Sequence, residues 1–453
     1  MATKELTTGN PLKLIFNFTL PILFGNLFQQ IYNLVDALIV GRTLGINALA
    51  AVGATGPLIF LIISFVFATT QGFSVVTAQK FGAKDYSKVR KSVGISFTLS
   101  LLLTIVLTLI SAPFAYKMLA FLRTPSDIIN PAAEYLVIMF AGIFATVFYN
   151  LSSNIIRALG DSKTPLYFLI FASFLNIFLD LLFILKFKMG VSGAAWATVV
   201  SQGVATVLCI IFMFKKFPIL NLKKSDWLLE KDFVFEHLNV GIPMGFQMSV
   251  LTIGIIALQF VLNGLGSIAV AAYTTAMRVD QIFSQIYLAL GATMATYTAQ
   301  NFGAKKMKRI KEGARASVFL AFIASVLAIV ILSFFAGKIV SLFMDVPNEE
   351  VISLAVLYLR IIMVFFLFLG ILIIYRNILQ GMGNVGAPLA SGVAELIART
   401  VCAFILGHYF GFLGICLATP AAWVAAAIVL YIGYKISLVK NLKQLRKNAN
   451  YSK

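Results

Sequence analysis

Long apolar stretches, separated by short polar or Gly- and Pro-containing connections, run from one end of the chain to the other. Twelve are long enough to cross a bilayer: residues 14–41, 48–79, 90–119, 132–157, 164–186, 191–215, 235–262, 267–300, 312–337, 351–379, 387–408 and 412–435. About 20 apolar residues of helix match the hydrocarbon thickness of a membrane. The pattern predicts an all-α membrane protein with twelve transmembrane helices. The first stretch is too long for a cleavable signal and lacks a small-residue cleavage site, so it reads as the first span.

Composition agrees. Of 453 residues, 60% are hydrophobic and 12% charged, whereas a soluble domain carries about 25% charged residues. The net charge of +19 would suit a nucleic-acid partner, but its placement argues against one. Twenty-seven of the 36 Lys and Arg fall on one alternate set of connections and termini, six on the other, and three within or at the edge of spans. The positive-inside rule then places both termini in the cytoplasm and demands an even span count. The expected setting is the plasma or inner membrane, with the basic charge facing anionic lipid rather than nucleic acid. Cys209, Cys402 and Cys416 lie in apolar runs without metal-ligand spacing and read as packing residues.

The chain repeats itself. TAQKFGAKD at 77–85 returns as TAQNFGAKK at 298–306, NIIRALGDSKTPL at 154–166 as NILQGMGNVGAPL at 377–389, and GVSGAAWAT at 190–198 as GFLGICLAT at 411–419. Pro21 aligns with Pro243, so every offset lies between 221 and 223. The predicted organisation is an N-lobe (1–216), a cytoplasmic connection (217–234), a C-lobe (235–436) and a basic tail (437–453). Six spans per half is an even number, so the halves are parallel repeats, and two such bundles would face each other across a central cleft. GMGNVG at 381–386 matches a dinucleotide pattern, but it sits in a turn between membrane helices and lacks the strand that the motif requires. No Walker motif, paired metal ligands or nucleophile elbow accompanies it. Neither an enzyme nor a bound nucleotide or cofactor is expected.

Four acids lie deep in spans: Asp36, Asp180, Asp280 and Glu395. Intramembrane ionisable groups are functional candidates by default. Asp36 is six residues before Arg42, and Asp180 six before Lys186. At 1.5 Å per residue both lie about 9 Å inside the outer boundary. Asn176 shares a helical face with Asp180, and Thr198 on the returning span falls at a similar depth. Oxygen donors of this kind suit a hard cation such as Na+, and two carboxylates sharing a dry site also suit a proton. Alternatively, each acid reaches a water-filled crevice without coupling to anything. The second half does not repeat the set: Asn176 aligns with Arg399 and Asp180 with Ala403, and position 36 falls near Leu258 and Gln259.

Other polar groups in spans allow two readings. Glu395 and Arg399, at i and i+4, form a structural pair or a polar C-lobe site with Gln259, Arg278 and Asp280. Arg278 and Asp280 point to different faces and read as separate interior contacts. Gln29, Asn150, Asn154 and Gln202 line a substrate cavity or join helices. His237 and His408, near span ends, read as surface residues. Pro21 predicts a kink in span 1 and hence a hinge.

These residues resemble the multidrug and toxic compound extrusion (MATE) family over almost the whole chain. The resemblance is carried by LVDALIVGR in span 1, AQKFGA and AQNFGA after spans 2 and 8, and RALGDSKTP after span 4. It implies two six-helix lobes around a cleft and export of cationic drugs or metabolites in exchange for Na+ or H+. It further implies an N-lobe cation site at Asp36, Asn176, Asp180 and Thr198, a cavity residue at Gln29, and bending at Pro21 in some members. Some relatives rely instead on acids in the second half, where this chain has Gln259 in span 7. The expected molecule is a monomeric antiporter in the lipid bilayer with a small organic cation as substrate and a role in antibiotic resistance. A flippase for lipids or lipid-linked oligosaccharides is the alternative, although its anionic substrate would demand more cationic groups than Arg278 and Arg399.

Overall fold

The computed structural model describes residues 5–344 and 348–451, with side chains as far as Lys443. The end of the basic tail therefore lies outside the described residues. The order is α1 (Pro11–Leu44), α2 (Ile46–Gly82), α3 (Tyr86–Ser111), α4 (Ala115–Phe121), α5 (Ile129–Ala141), α6 (Ile143–Ala158), α7 (Lys163–Leu181), α8 (Gly190–Lys216), α9 (Lys231–Asn263), α10 (Ser267–Gly303), α11 (Met307–Ser341), α12 (Glu349–Gly381), α13 (Gly386–Phe410) and α14 (Phe412–Tyr451). A π-helical turn, Leu182–Lys186, continues α7. Every described regular element is helical, as backbone groups in hydrocarbon require.

Ten of these helices are long and apolar enough to cross a membrane. α5 and α6, bent by 44° about Gly142, together supply an eleventh crossing. The bend has a packing cause, since a Cβ on Gly142 would fall 2.3 Å from Val199 of α8. The remaining expected span is α10, 37 residues long. Its hydroxyl and amide side chains, with Arg278 and Asp280, dilute the apolar signal.

The repeat extends to the backbone. α2 and α10 have the same length, 37 residues each. Positive φ recurs at Gly45 and Gly266, Lys84 and Lys305, Gly160 and Gly383, and Gly190 and Gly411. Each pair marks equivalent helix boundaries, where the chain turns through a residue of positive φ.

Compactness divides the chain differently from the sequence halves. One unit is built on Phe24–Gly245, the other on Leu6–Leu23 together with Phe246 onward. The first stretch of α1 thus belongs to the second unit, where Leu6, Ile15, Phe18 and Ile22 join its buried core. The first stretch of α9 belongs to the first unit. Both changes of allegiance come two residues after a proline inside the helix, Pro21 and Pro243. α1 runs through Pro21 as one helix.

Within each unit this borrowed stretch makes a close crossing. In the first unit a Cβ on Gly72 of α2 would fall 2.5 Å from Gly241 Cα of α9. In the second unit the equivalent positions are Thr293 and Thr19, whose hydroxyls hydrogen-bond at 2.9 Å. Two glycines and a hydroxyl pair are two solutions to the problem of close helix approach without bulky side chains.

His237 corrects the sequence expectation of a surface histidine: it is fully buried, while His408 is exposed. Nδ1–H of His237 donates to Phe233 O (2.8 Å), and Nε2 meets Ser92 Oγ (2.8 Å), which in turn meets Thr77 Oγ1 (2.8 Å). This chain of bonds ties α9 to α3 and α2. Around it, Lys80 pairs with Glu236 (2.7 Å) and Arg90 with Asp226 (3.3 Å).

Asp161 explains the acid in RALGDSKTP. Its carboxylate accepts from the backbone N–H groups of Lys163 and Thr164 (3.0 Å each), from Thr164 Oγ1 (2.7 Å) and from Lys216 Nζ (3.2 Å). Burial pushes the carboxyl up, but the Thr164 and Lys216 interactions outweigh it and hold Asp161 below its ordinary value. A carboxyl held low in the folded state contributes stability above its unfolded pKa of about 3.9, and loses it as pH falls through the lower folded value. Asp161→Asn should therefore cost about 1 kcal/mol at neutral pH, and the difference in melting temperature from wild type should close below about pH 4. A separate prediction concerns the α2–α9 crossing. Gly72→Leu should cost about 3 kcal/mol or more through overpacking, read as a lower melting temperature and a smaller monodisperse peak in detergent, whereas Thr19→Val should cost only about 1 kcal/mol.

Candidate functional site

The sequence-predicted quartet comes together in the first unit. Asp180 and Asn176 sit one turn apart on α7 and are both fully buried. Thr198 of α8 is 8% exposed, and Asp36 of α1 is half-buried. Asn176 is oriented so that Nδ2 donates to Asp180 Oδ2 (2.8 Å) and Oδ1 accepts from Thr198 N (3.1 Å). The opposite amide orientation would turn the Asn176 oxygen on the carboxylate. The carboxyl groups of Asp36 and Asp180 lie within hydrogen-bonding reach of each other. Two bare carboxylates cannot share such a contact, so a proton or a cation belongs between them. Oδ1 of each acid is buried and has no protein partner.

Two further residues complete the surroundings, and sequence reasoning missed both. Tyr32, one turn before Asp36 on α1, lies beside Thr198 and both acids. Tyr135 of α5, 6% exposed, lies beside Tyr32, Asp36 and Asp180. The i−4 relation of Tyr32 to Asp36 was a usable signal; nothing in sequence tied Tyr135 to the site. Ile39, Val40, Ile184, Ala194 and Ala195 pack around the group and keep it dry. The π turn directly after Asp180 widens α7 at this point, a feature often found at functional sites.

The other candidates fall elsewhere. Gln29 is exposed on α1. Gln202 of α8 accepts from Thr146 of α6 (2.5 Å), and Asn150 donates back to Thr146 O (2.8 Å). Asn154 is 5% exposed and accepts from Arg157 at 3.4 Å. These three therefore serve contacts within the first unit. In the second unit, Gln259 donates to Asn263 (2.7 Å). Asp280 is buried and accepts from Ser284 (3.3 Å). Arg278 departs from the expected interior contact: it points to the opposite face of α10 and is exposed, as two positions on a helix must diverge. Glu395 does pair with Arg399 (2.8 Å), and it also receives Arg376 of α12 (2.9 Å).

Comparison with known proteins gives this arrangement its context. A family model described as MatE matches residues 21–182 and 243–405, one match in each repeat. The chain belongs to the MatE family. It is similar to the probable multidrug resistance protein YoeA of Bacillus subtilis, 30% identical over 427 residues, covering 92% of each chain. It is also similar to the multidrug export protein MepA of Staphylococcus aureus, at 24% identity and 93% of each chain. Among solved structures, the outward-facing conformation of a multidrug resistance MATE family transporter aligns with a TM-score of 0.91 at 25% identity, covering 97% of this chain and 99% of that one. As a MatE protein the chain is a multi-pass membrane transporter in a lipid bilayer, not an enzyme.

In this MatE protein the Tyr32 hydroxyl lies beside Thr198 and the acid pair. Tyr32→Phe removes a hydroxyl from beside the paired acids, at a cost of about 1.5 kcal/mol to the loaded site. Transport by the variant in vesicles should slow about tenfold, at unchanged folded yield and melting temperature.

Proposed function

We propose that this protein is a secondary antiporter that exports organic, cationic drugs or metabolites from the cell across the plasma membrane, driven by inward cation flow. Asp36 and Asp180 carry the coupling ion. The observation that carries the reading is the contact between these two carboxyl groups inside an apolar shell. The names of YoeA and MepA, and the MATE transporter structure, support drug export as the direction of work.

The coupling ion is read first as a proton. The amide N–H of Asn176 points at Asp180, and one proton shared by the acids relieves their repulsion. Na+ is the second reading, favoured by the two unpartnered Oδ1 atoms and by the preference of hard cations for oxygen. In that case Thr198, the Tyr32 hydroxyl and a reoriented Asn176 amide complete the shell. Loading this site and loading the substrate favour different conformations, so each expels the other. Pro21, close to where α1 passes from one unit to the other, is the hinge in this scheme. Gln29, exposed about two turns ahead of Asp36 on the same helix, is the proposed substrate contact.

Dye efflux from proteoliposomes tests the scheme. A pH gradient and a Na+ gradient are imposed separately on wild type, Asp36→Asn and Asp180→Asn. One gradient should drive export of a cationic dye by wild type, and either substitution should reduce it by about tenfold or more, equivalent to about 1.4 kcal/mol. Equal gradient-driven efflux in wild type and both variants would remove the acids from coupling. Gradient-independent movement of a labelled lipid, without dye export, would make the protein a flippase.

A further inference from the structure

We infer that the second unit holds an anion site, built by Arg376 and Arg399 at the position where its repeat partner carries the acid pair. Arg399 of α13 aligns with Asn176, and Thr419 with Thr198, while Ala403 and Leu258 stand where the first unit has Asp180 and Asp36. The polarity of the equivalent site is therefore reversed.

Three observations point to a ligand. First, Arg376 and Arg399, each 6% exposed, share the single carboxylate of Glu395, which is 5% exposed. Two guanidinium groups on one carboxylate leave a net charge of +1, and an uncompensated charge away from water is costly. Asp280, the other buried acid of this unit, accepts only from Ser284 among the described hydrogen bonds and forms no ion pair with either arginine. Second, the Nε–H of both arginines is buried without a protein acceptor. An anion is the group that two orphaned cationic donors take. Third, the Tyr32 side chain of the first unit has no counterpart: Gly254 stands at that position, where a Cβ would lie 3.4 Å from Leu396 Cδ1 and 3.7 Å from Arg399 Cδ. Tyr273 and Tyr358 lie near both Arg399 and Asp280, and the Tyr358 hydroxyl is already engaged with Met277 Sδ (3.2 Å). A small monovalent anion fits this chemistry, either a halide or the carboxylate of an amphoteric substrate.

The inference goes beyond the export reading and does not rest on it, because binding is measured without transport. The full chain in detergent is titrated with bromide, replacing gluconate at constant ionic strength, and its melting temperature is followed. Wild type should show a saturable rise. Arg376→Gln and Arg399→Gln should abolish it. Glu395→Gln removes the competing carboxylate and should shift half-saturation to about tenfold lower bromide, a change of about 1.4 kcal/mol. Gly254→Leu, which adds bulk against Leu396 and the Arg399 side chain without removing a charge, should weaken binding, and it keeps the test decisive where an arginine variant fails to fold. Bromide should also give an anomalous peak beside both Nε atoms in crystals. Acetate that displaces bromide assigns the site to a carboxylate; acetate without effect assigns it to a halide. A melting temperature that ignores bromide, or one that follows it identically in wild type, Glu395→Gln and Gly254→Leu, would mean that water fills the site and would overturn the inference.

Discussion

Hydrocarbon solvates neither a charge nor an unpaired amide, and that constraint explains where this molecule keeps its polar groups. Many buried hydroxyls turn back onto their own helix, as Thr70, Thr104 and Ser325 do on carbonyls one turn earlier. Where a polar group cannot be satisfied locally, it joins helices: Thr77, Ser92 and His237 form one chain across three of them. Other buried polar atoms have no protein partner, hydroxyls such as those of Thr69, Ser96 and Ser152 among them. The charged groups in that set are Oδ1 of Asp36 and Asp180 and the Nε–H groups of Arg157, Arg376 and Arg399.

Much of the architecture was legible in sequence because membrane helices are written in long apolar runs and the chain says everything twice. The recurring offset found the repeat, and the backbone repeats its left-handed residues at the same spacing. The acid quartet was legible through depth alone: equal distance from basic residues at the outer ends of two spans placed Asp36 and Asp180 at one level. What stayed hidden depends on rotation about helix axes and on partners from other helices. Tyr135 reaches the site from α5, which no linear spacing reports. Arg376 lies near the close of α12, yet it is buried against Glu395 of α13, a pairing that no linear spacing reports. His237 looked like a surface residue because it lies near a span end. The Asn176 amide was expected to offer oxygen to a cation, and in the structure it offers N–H to Asp180.

The two repeats use one scaffold with opposite charge. Glycines at the α2–α9 crossing are replaced by hydroxyls at the other crossing, and an amide–acid turn on α7 is replaced by a guanidinium on α13. Helix ends, caps and crossings are kept because packing tolerates little change there. Side chains of the buried polar cluster in each unit have diverged instead, from paired acids to paired arginines. Such a duplication leaves one half free to specialise while the other keeps the backbone geometry.

The shared helices have a consequence for biogenesis. The opening stretch of α1 leaves the ribosome first, but the core it joins, with Ile15, Phe18 and Ile22, is made of residues synthesised more than two hundred positions later. Until then it must wait in the bilayer with only lipid around it. The first unit in turn is incomplete until the start of α9 has been made. Neither half can be finished before the other is under way, so the nascent chain matures as one object, and a polypeptide cut cleanly between its repeats would leave both pieces lacking a helix segment.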